Sequence, residues 1–128
     1  MKYYITKKVS LSFDEAVQKV TENLSKEGFG IITEINVKET MKKKLDIDFR
    51  NYRILGACNP NFAHQALTVE DKIGVMLPCN VIVQQHDNGE IEVSSINPAV
   101  SMQSVANPNL NELAQKVVSA LTRVIEAL

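Results

Sequence analysis

The segment Ser12-Phe13-Asp14-Glu15 constrains this chain more than any other. A serine followed three residues later by a glutamate is a capping box, in which the two residues satisfy each other's unpaired backbone donors at a helix start. Phe13, Ala16, Val17, Val20 and Leu24 follow at helical spacing and build one apolar face. Gly28 then ends the helix, because glycine takes the left-handed conformation of a helix stop without steric cost. The helix is flanked closely on both sides. Before it, residues 2–9 alternate, with Tyr3, Ile5 and Val9 opposite Tyr4, Thr6 and Lys8 and only Lys7 out of pattern. After it, the β-branched run from Phe29 to Val37 follows with almost no loop. Strand, helix and strand must therefore pack together within the first 37 residues.

Further elements follow the same rules. Lys38 to Leu45 reads as a charged helix with Met41 and Leu45 turned inward, and Tyr52 to Ala57 as a buried strand. Asn59 is a good N-cap and Pro60 a good first helical residue, so a short helix to about Val69 is expected to bury Phe62, Ala63, Ala66 and Leu67. Asn80 to Gln85 and Glu90 to Ile96 flank Asp87-Asn88-Gly89, a strong hairpin signal. A loop bounded by Asn97-Pro98 and Asn107-Pro108, with Met102 and Val105 pinned to the core, leads to the final helix. There Leu110, Leu113, Ala114, Val117, Val118, Leu121, Val124, Ile125 and Leu128 form a wide apolar stripe. Each such side chain contributes roughly 1.5–3 kcal/mol when buried. The order β-α-β-(α)-β-α-β-β-α, with two long helices on one face of a mostly antiparallel sheet, satisfies all these faces. An α+β fold in a single domain over 1–128 is the expectation.

Charge excludes some functions. The net charge of −1 offers no field for nucleic acid or an anionic membrane. Residues 1–50 hold 10 of the 14 Lys and Arg but also 8 of the 15 acids, so the Lys42-Lys43-Lys44 run reads as a solvated face. No apolar stretch reaches the roughly 20 residues of a membrane span. Met1 to Lys7 lacks the apolar core of a signal peptide, so a cytoplasmic location with reduced thiols is expected. No phosphate loop, nucleophile elbow, HExxH or calcium loop occurs.

The residues that invite chemistry lie in two similar tetrapeptides, Ala57-Cys58-Asn59-Pro60 and Pro78-Cys79-Asn80-Val81, which carry both cysteines. Between Asn51 and Val69 the sole charge is Arg53. Cys58 precedes a helix start, where backbone donors favour a thiolate. His64, on the same helix, is a candidate base or soft-metal partner. Asn59 and Asn80 have structural work as cap and turn residues, yet each also has a side chain suited to a polar ligand. Arg53 is suited to an anion through its planar fork, or to pairing with an acid. Three functions follow. The first is a non-catalytic binding or accessory protein, whose cleft at Cys58, Asn59, Cys79 and Asn80, with Arg53 and His64 nearby, takes a small polar or anionic ligand. The second is a thiol redox protein or enzyme using Cys58 with Cys79 as resolving partner. The third is a metal- or haem-related binder with His64 as a ligand. No cofactor is identified by the residues themselves.

Tyr52-Arg53-Ile54-Leu55-Gly56-Ala57-Cys58-Asn59-Pro60, Ala63, Ala66 and Leu67, and Gly74-Val75-Met76-Leu77-Pro78-Cys79-Asn80-Val81 together resemble the domain-of-unknown-function 302 family of bacteria and archaea. The resemblance covers nearly the whole chain, including Gly28-Phe29. It implies a β-α-β(4)-α core with a geometry similar to TATA-binding-protein-like folds, and, together with the apolar content, a homodimer. The final helix or an exposed sheet edge is the expected contact. It carries over no catalytic residue.

Overall fold

In the computed structural model, which describes all 128 residues, the helix that begins after Ser12 is α1, Phe13–Lys26. The capping box forms as the sequence predicts: Glu15 N donates to Ser12 Oγ at 3.2 Å and Ser12 N to Glu15 Oε1 at 3.1 Å. Its far end closes with Gly28 at φ +83°, which lets Phe29 N reach Leu24 O at 2.9 Å and Gly28 N reach Ser25 O at 3.0 Å.

The other elements are β1 Tyr4–Val9, β2 Gly30–Asn36, α2 Val37–Leu45, β3 Tyr52–Cys58, α3 Pro60–Val69, β4 Cys79–Gln85, β5 Ile91–Ile96, α4 Pro98–Ser101 and α5 Asn111–Glu126. The strands form one sheet in the order β1-β5-β4-β3-β2, and every neighbouring pair is antiparallel. Helices α1 and α5 pack on one face, so the α+β fold and the strand-helix order are as expected. Fifteen buried residues form the main core between them, including Val20, Leu24, Leu55, Val83, Leu121 and Val124. The register aligns Ile35, Ile54 and Ile82 on adjacent strands. By alternation these lie on the face opposite Leu55, Ala57 and Val83, which face the helices.

Lys7, the residue out of pattern, has a structural role. Its Nζ donates to Glu126 O at 3.1 Å and Leu128 O at 2.6 Å, placing a cation on the C-terminal carbonyls of α5. Two sequence expectations need correction. Leu45 is 64% exposed and α2 buries nothing, because α2 sits against β2 and β3 beyond the helical layer and no element covers it. Leu67 is 44% exposed, since only the Ala66 side of α3 faces the rest of the molecule. The stretch after β5 is also more ordered than a loop: α4 continues into single 3₁₀ turns at Met102–Val105 and Pro108–Leu110.

Candidate functional site

Two strand ends and two helices leave a space between them. β3 ends at Cys58 and β4 begins at Cys79, with Ala57 directly opposite Cys79. Asn59 then starts α3. Its Oδ1 accepts from Asn61 N at 3.1 Å and Phe62 N at 3.3 Å, and its Nδ2 donates to Glu27 O at 3.2 Å. One side chain thus caps α3 and ties it to the end of α1. Glycine is required at position 28 on two counts, the positive φ and the approach of Asn59 Nδ2 to 2.9 Å from where a Cβ would stand. Gly56 is equally constrained: a Cβ there would run into Thr33 Oγ1 and lie 2.8 Å from Pro78 Cγ.

Below these strand ends lies a cavity of about 220 Å³, lined by 17 residues of which 14 are hydrophobic. Ala57, Cys58, Pro78 and Cys79 form its sheet wall, Phe62, Ala63 and Ala66 its α3 wall, and Leu113, Ala114 and Val117 its α5 wall. Pro98, Met102 and Leu110 form a further wall, and the space stays partly open to solvent. Four of the lining residues are alanines, Ala57, Ala63, Ala66 and Ala114, and their short side chains are what leave the space. The cavity separates the main core from a small apolar cluster of Ala66, Ile73 and Leu110. A bulge in β2 between Ile31 and Thr33 sets Ile32 at the cavity's edge.

No charged residue lines this space. Both cysteines are free thiols at its wall. Burial, and secondarily the neighbouring Cys58, pushes the Cys79 thiol up to about 11, so it is protonated at neutral pH. That is the reverse of an activated thiolate. The one-residue stagger between Cys58 and Cys79 also differs from the directly opposed register of a cross-strand pair.

The structure brings together Cys58, Asn59 and Cys79 from the sequence candidates and separates the rest. Arg53 lies further along β3, where its Nη1 contacts Glu34 Oε1 at 3.1 Å and its guanidinium lies 5.7 Å from the Phe13 ring centre. It pairs with an acid and offers no counter-charge to the cavity. Asn80 is exposed on β4 and outside the lining. His64 is exposed on α3, also outside it. His86 is bonded to Glu92 at 2.9 Å near the hairpin. No three His, Cys, Asp or Glu side chains gather into a metal-holding group. Sequence reasoning missed the contributions of Met102, Leu113, Ala114 and Val117, which read as ordinary core. The two alanines Ala63 and Ala66, three residues apart on one side of α3, are the one sequence signal that pointed to a void.

A family model, domain of unknown function DUF302, matches residues 5–128 of this chain. The crystal structure of an uncharacterized conserved protein DUF302 from Bacillus stearothermophilus is similar over 98% of each chain, at 28% sequence identity and a TM-score of 0.92. No curated protein matches the chain. No helix is long and apolar enough to cross a membrane.

Proposed function

The chain belongs to the family called domain of unknown function DUF302, and we propose that it acts as a non-catalytic binding or accessory protein whose ligand is small and apolar. One observation carries this reading: a cavity of about 220 Å³ that is walled by apolar side chains and has no charged residue. An enclosed apolar void of about 150 Å³ already admits benzene, and this partly open space is larger and as apolar. A carboxylate or phosphate placed here would lose its hydration without gaining a partner, at a cost of several kcal/mol. The polar or anionic ligand expected from Arg53 therefore gives way to an apolar ligand, or to the apolar end of a larger one. Asn59 does not alter this, because its amide already bonds to α1 and α3.

Thiol chemistry with Cys79 as the resolving partner of Cys58 is less well supported, since burial keeps the Cys79 proton in place. A homodimer belongs to the reading as the assembly that the family resemblance implies. Helix α5 commits its buried residues to the core of its own chain, so a second copy would meet the sheet face away from α1 and α5 or the edge strands β1 and β2. Light scattering that gave a monomer mass at micromolar concentration would remove that part.

Benzene titrated into isotope-labelled protein tests the cavity. Saturable amide shifts at Cys58, Ala66 and Val117 are expected, and Ala63→Leu should abolish them while the rest of the spectrum is retained. A wild-type spectrum with no saturable shift would refute the reading.

A further inference from the structure

We propose that residues 97–110 form a lid over the cavity, hinged at Asn97 and latched at Asn107. This rests on the reading of the cavity as a binding site and adds how its partly open mouth widens and closes over a ligand. Three observations on this one segment support it.

The first is where its hydrogen bonds go. Asn97 holds one end, with its N donating to Tyr3 O at 2.8 Å and its Nδ2 to Lys2 O at 3.2 Å. Asn107 holds the other, its Nδ2 donating to Val69 O at 3.0 Å and Glu70 Oε1 at 3.1 Å at the end of α3. Between these two residues every hydrogen bond is local, among them Val100 N to Asn97 O, Met102 N to Pro98 O and Ala106 N to Gln103 O. Such a segment can leave its neighbours without breaking a polar contact except at the latch.

The second is strain. Ala106 sits at φ +55°, and apart from Asp46 it is the only non-glycine residue with positive φ. Aspartate tolerates that region, whereas alanine gains nothing from it. The closed segment is thus held against a local backbone preference, next to the latch.

The third is packing. Pro98 and Leu110 are buried at the two ends, whereas Met102 between them is only half-buried, and all three wall the cavity. A flexible thioether side chain at the midpoint suits a wall that must re-form around an occupant. When the Asn107 bonds break, the middle of the segment swings out, with Pro98 staying in place.

Amide hydrogen exchange on the full chain, with and without benzene, tests the lid. Met102 and Ala106 amides should exchange through a local opening, much faster than those of α1 and β3. Asn107→Asp removes the donor but keeps the oxygen that caps Asn109 N, so this local exchange should rise about tenfold. Ala106→Gly relieves the strain and should slow it about fivefold, which keeps the test available if the Asp variant does not fold. Benzene uptake and release should rise together in Asn107→Asp with affinity within about twofold, since a gate changes both rates equally. Exchange at Met102 and Ala106 that follows global unfolding in both variants would overturn the lid. If benzene does not bind at all, the cavity reading fails, and the exchange data alone decide whether the segment opens.

Discussion

The two halves of α5 are built differently. Its C-terminal half lies in the main core, with Leu121, Val124 and Ile125 buried, and its end is tied down by polar contacts. Asn23, only 4% exposed, donates to Val124 O at 3.2 Å, and Lys7 reaches the carbonyls beyond it. Arg123 contacts Glu27 Oε1 through both Nε and Nη2, at 3.1 and 2.8 Å, joining the ends of α5 and α1. That bond holds the Glu27 carboxyl below its ordinary range. The N-terminal half has no side-chain cap and borders the cavity through Leu113, Ala114 and Val117. One helix therefore carries a closed, polar-anchored end and an open, apolar one. Stability is concentrated at the first, which allows the second to be left underfilled.

The largest test of this contrast compares Leu121→Ala with Met102→Ala. Leu121 is fully buried, and its truncation should cost about 2–5 kcal/mol. Met102 is half-buried beside existing space and should cost about 1 kcal/mol. Equal costs in urea denaturation would erase the distinction between the two halves.

Next in size is the pH dependence that comes from Cys79. Its folded thiol titrates at about 11, against an ordinary value of 9.0. The folded state thus keeps a proton that the unfolded state releases first, so stability is fully present below pH 9 and lost as pH rises toward 11. The loss should be about 2–3 kcal/mol, and the difference between wild type and Cys79→Ala isolates it from other groups. A difference that stays flat over that interval would mean that the cavity wall is wetter than its lining suggests.

Gly56→Ala probes the sheet wall beside the cavity. The new methyl collides with Thr33 and crowds Pro78, so a loss of about 1–3 kcal/mol in thermal or urea unfolding is expected. No loss would show that this wall yields as readily as the Met102 side. The smallest effect, about 1 kcal/mol, is expected for Asn23→Ala, which removes the donor to Val124 O. A neutral result would show that the polar anchor contributes little to the closed end.

Local signals made much of this fold legible. The capping box at Ser12 and Glu15, the stop at Gly28 and the Asp87-Asn88-Gly89 turn each act over a few residues, and each appears where the sequence places it. Helix α2 lies where the sequence places it, but Leu45 and Leu67 are exposed, because periodicity reveals an apolar face but not whether a partner covers it. The site was legible only in part. Cys58, Asn59 and Cys79 could be picked out as residue types, and antiparallel pairing of β3 with β4 brings them to one wall. The void is different in kind, because it is the shortfall in volume among three stretches far apart in the chain. Asn97 and Asn107 read alike in the sequence as Asn-Pro turns. Only the fold shows that the first ties the segment to the chain before β1 and the second to the end of α3.

The central claim is that the space beneath the Cys58 and Cys79 strand ends is a dry, preformed apolar site. Crystals of the protein held under xenon test it most directly. Xenon density is expected in the cavity, beside Ala66, Met102 and Val117, with no ordered water there in the xenon-free crystal. A cavity filled by hydrogen-bonded water, or closed by inward movement of α3 and Met102, would contradict it.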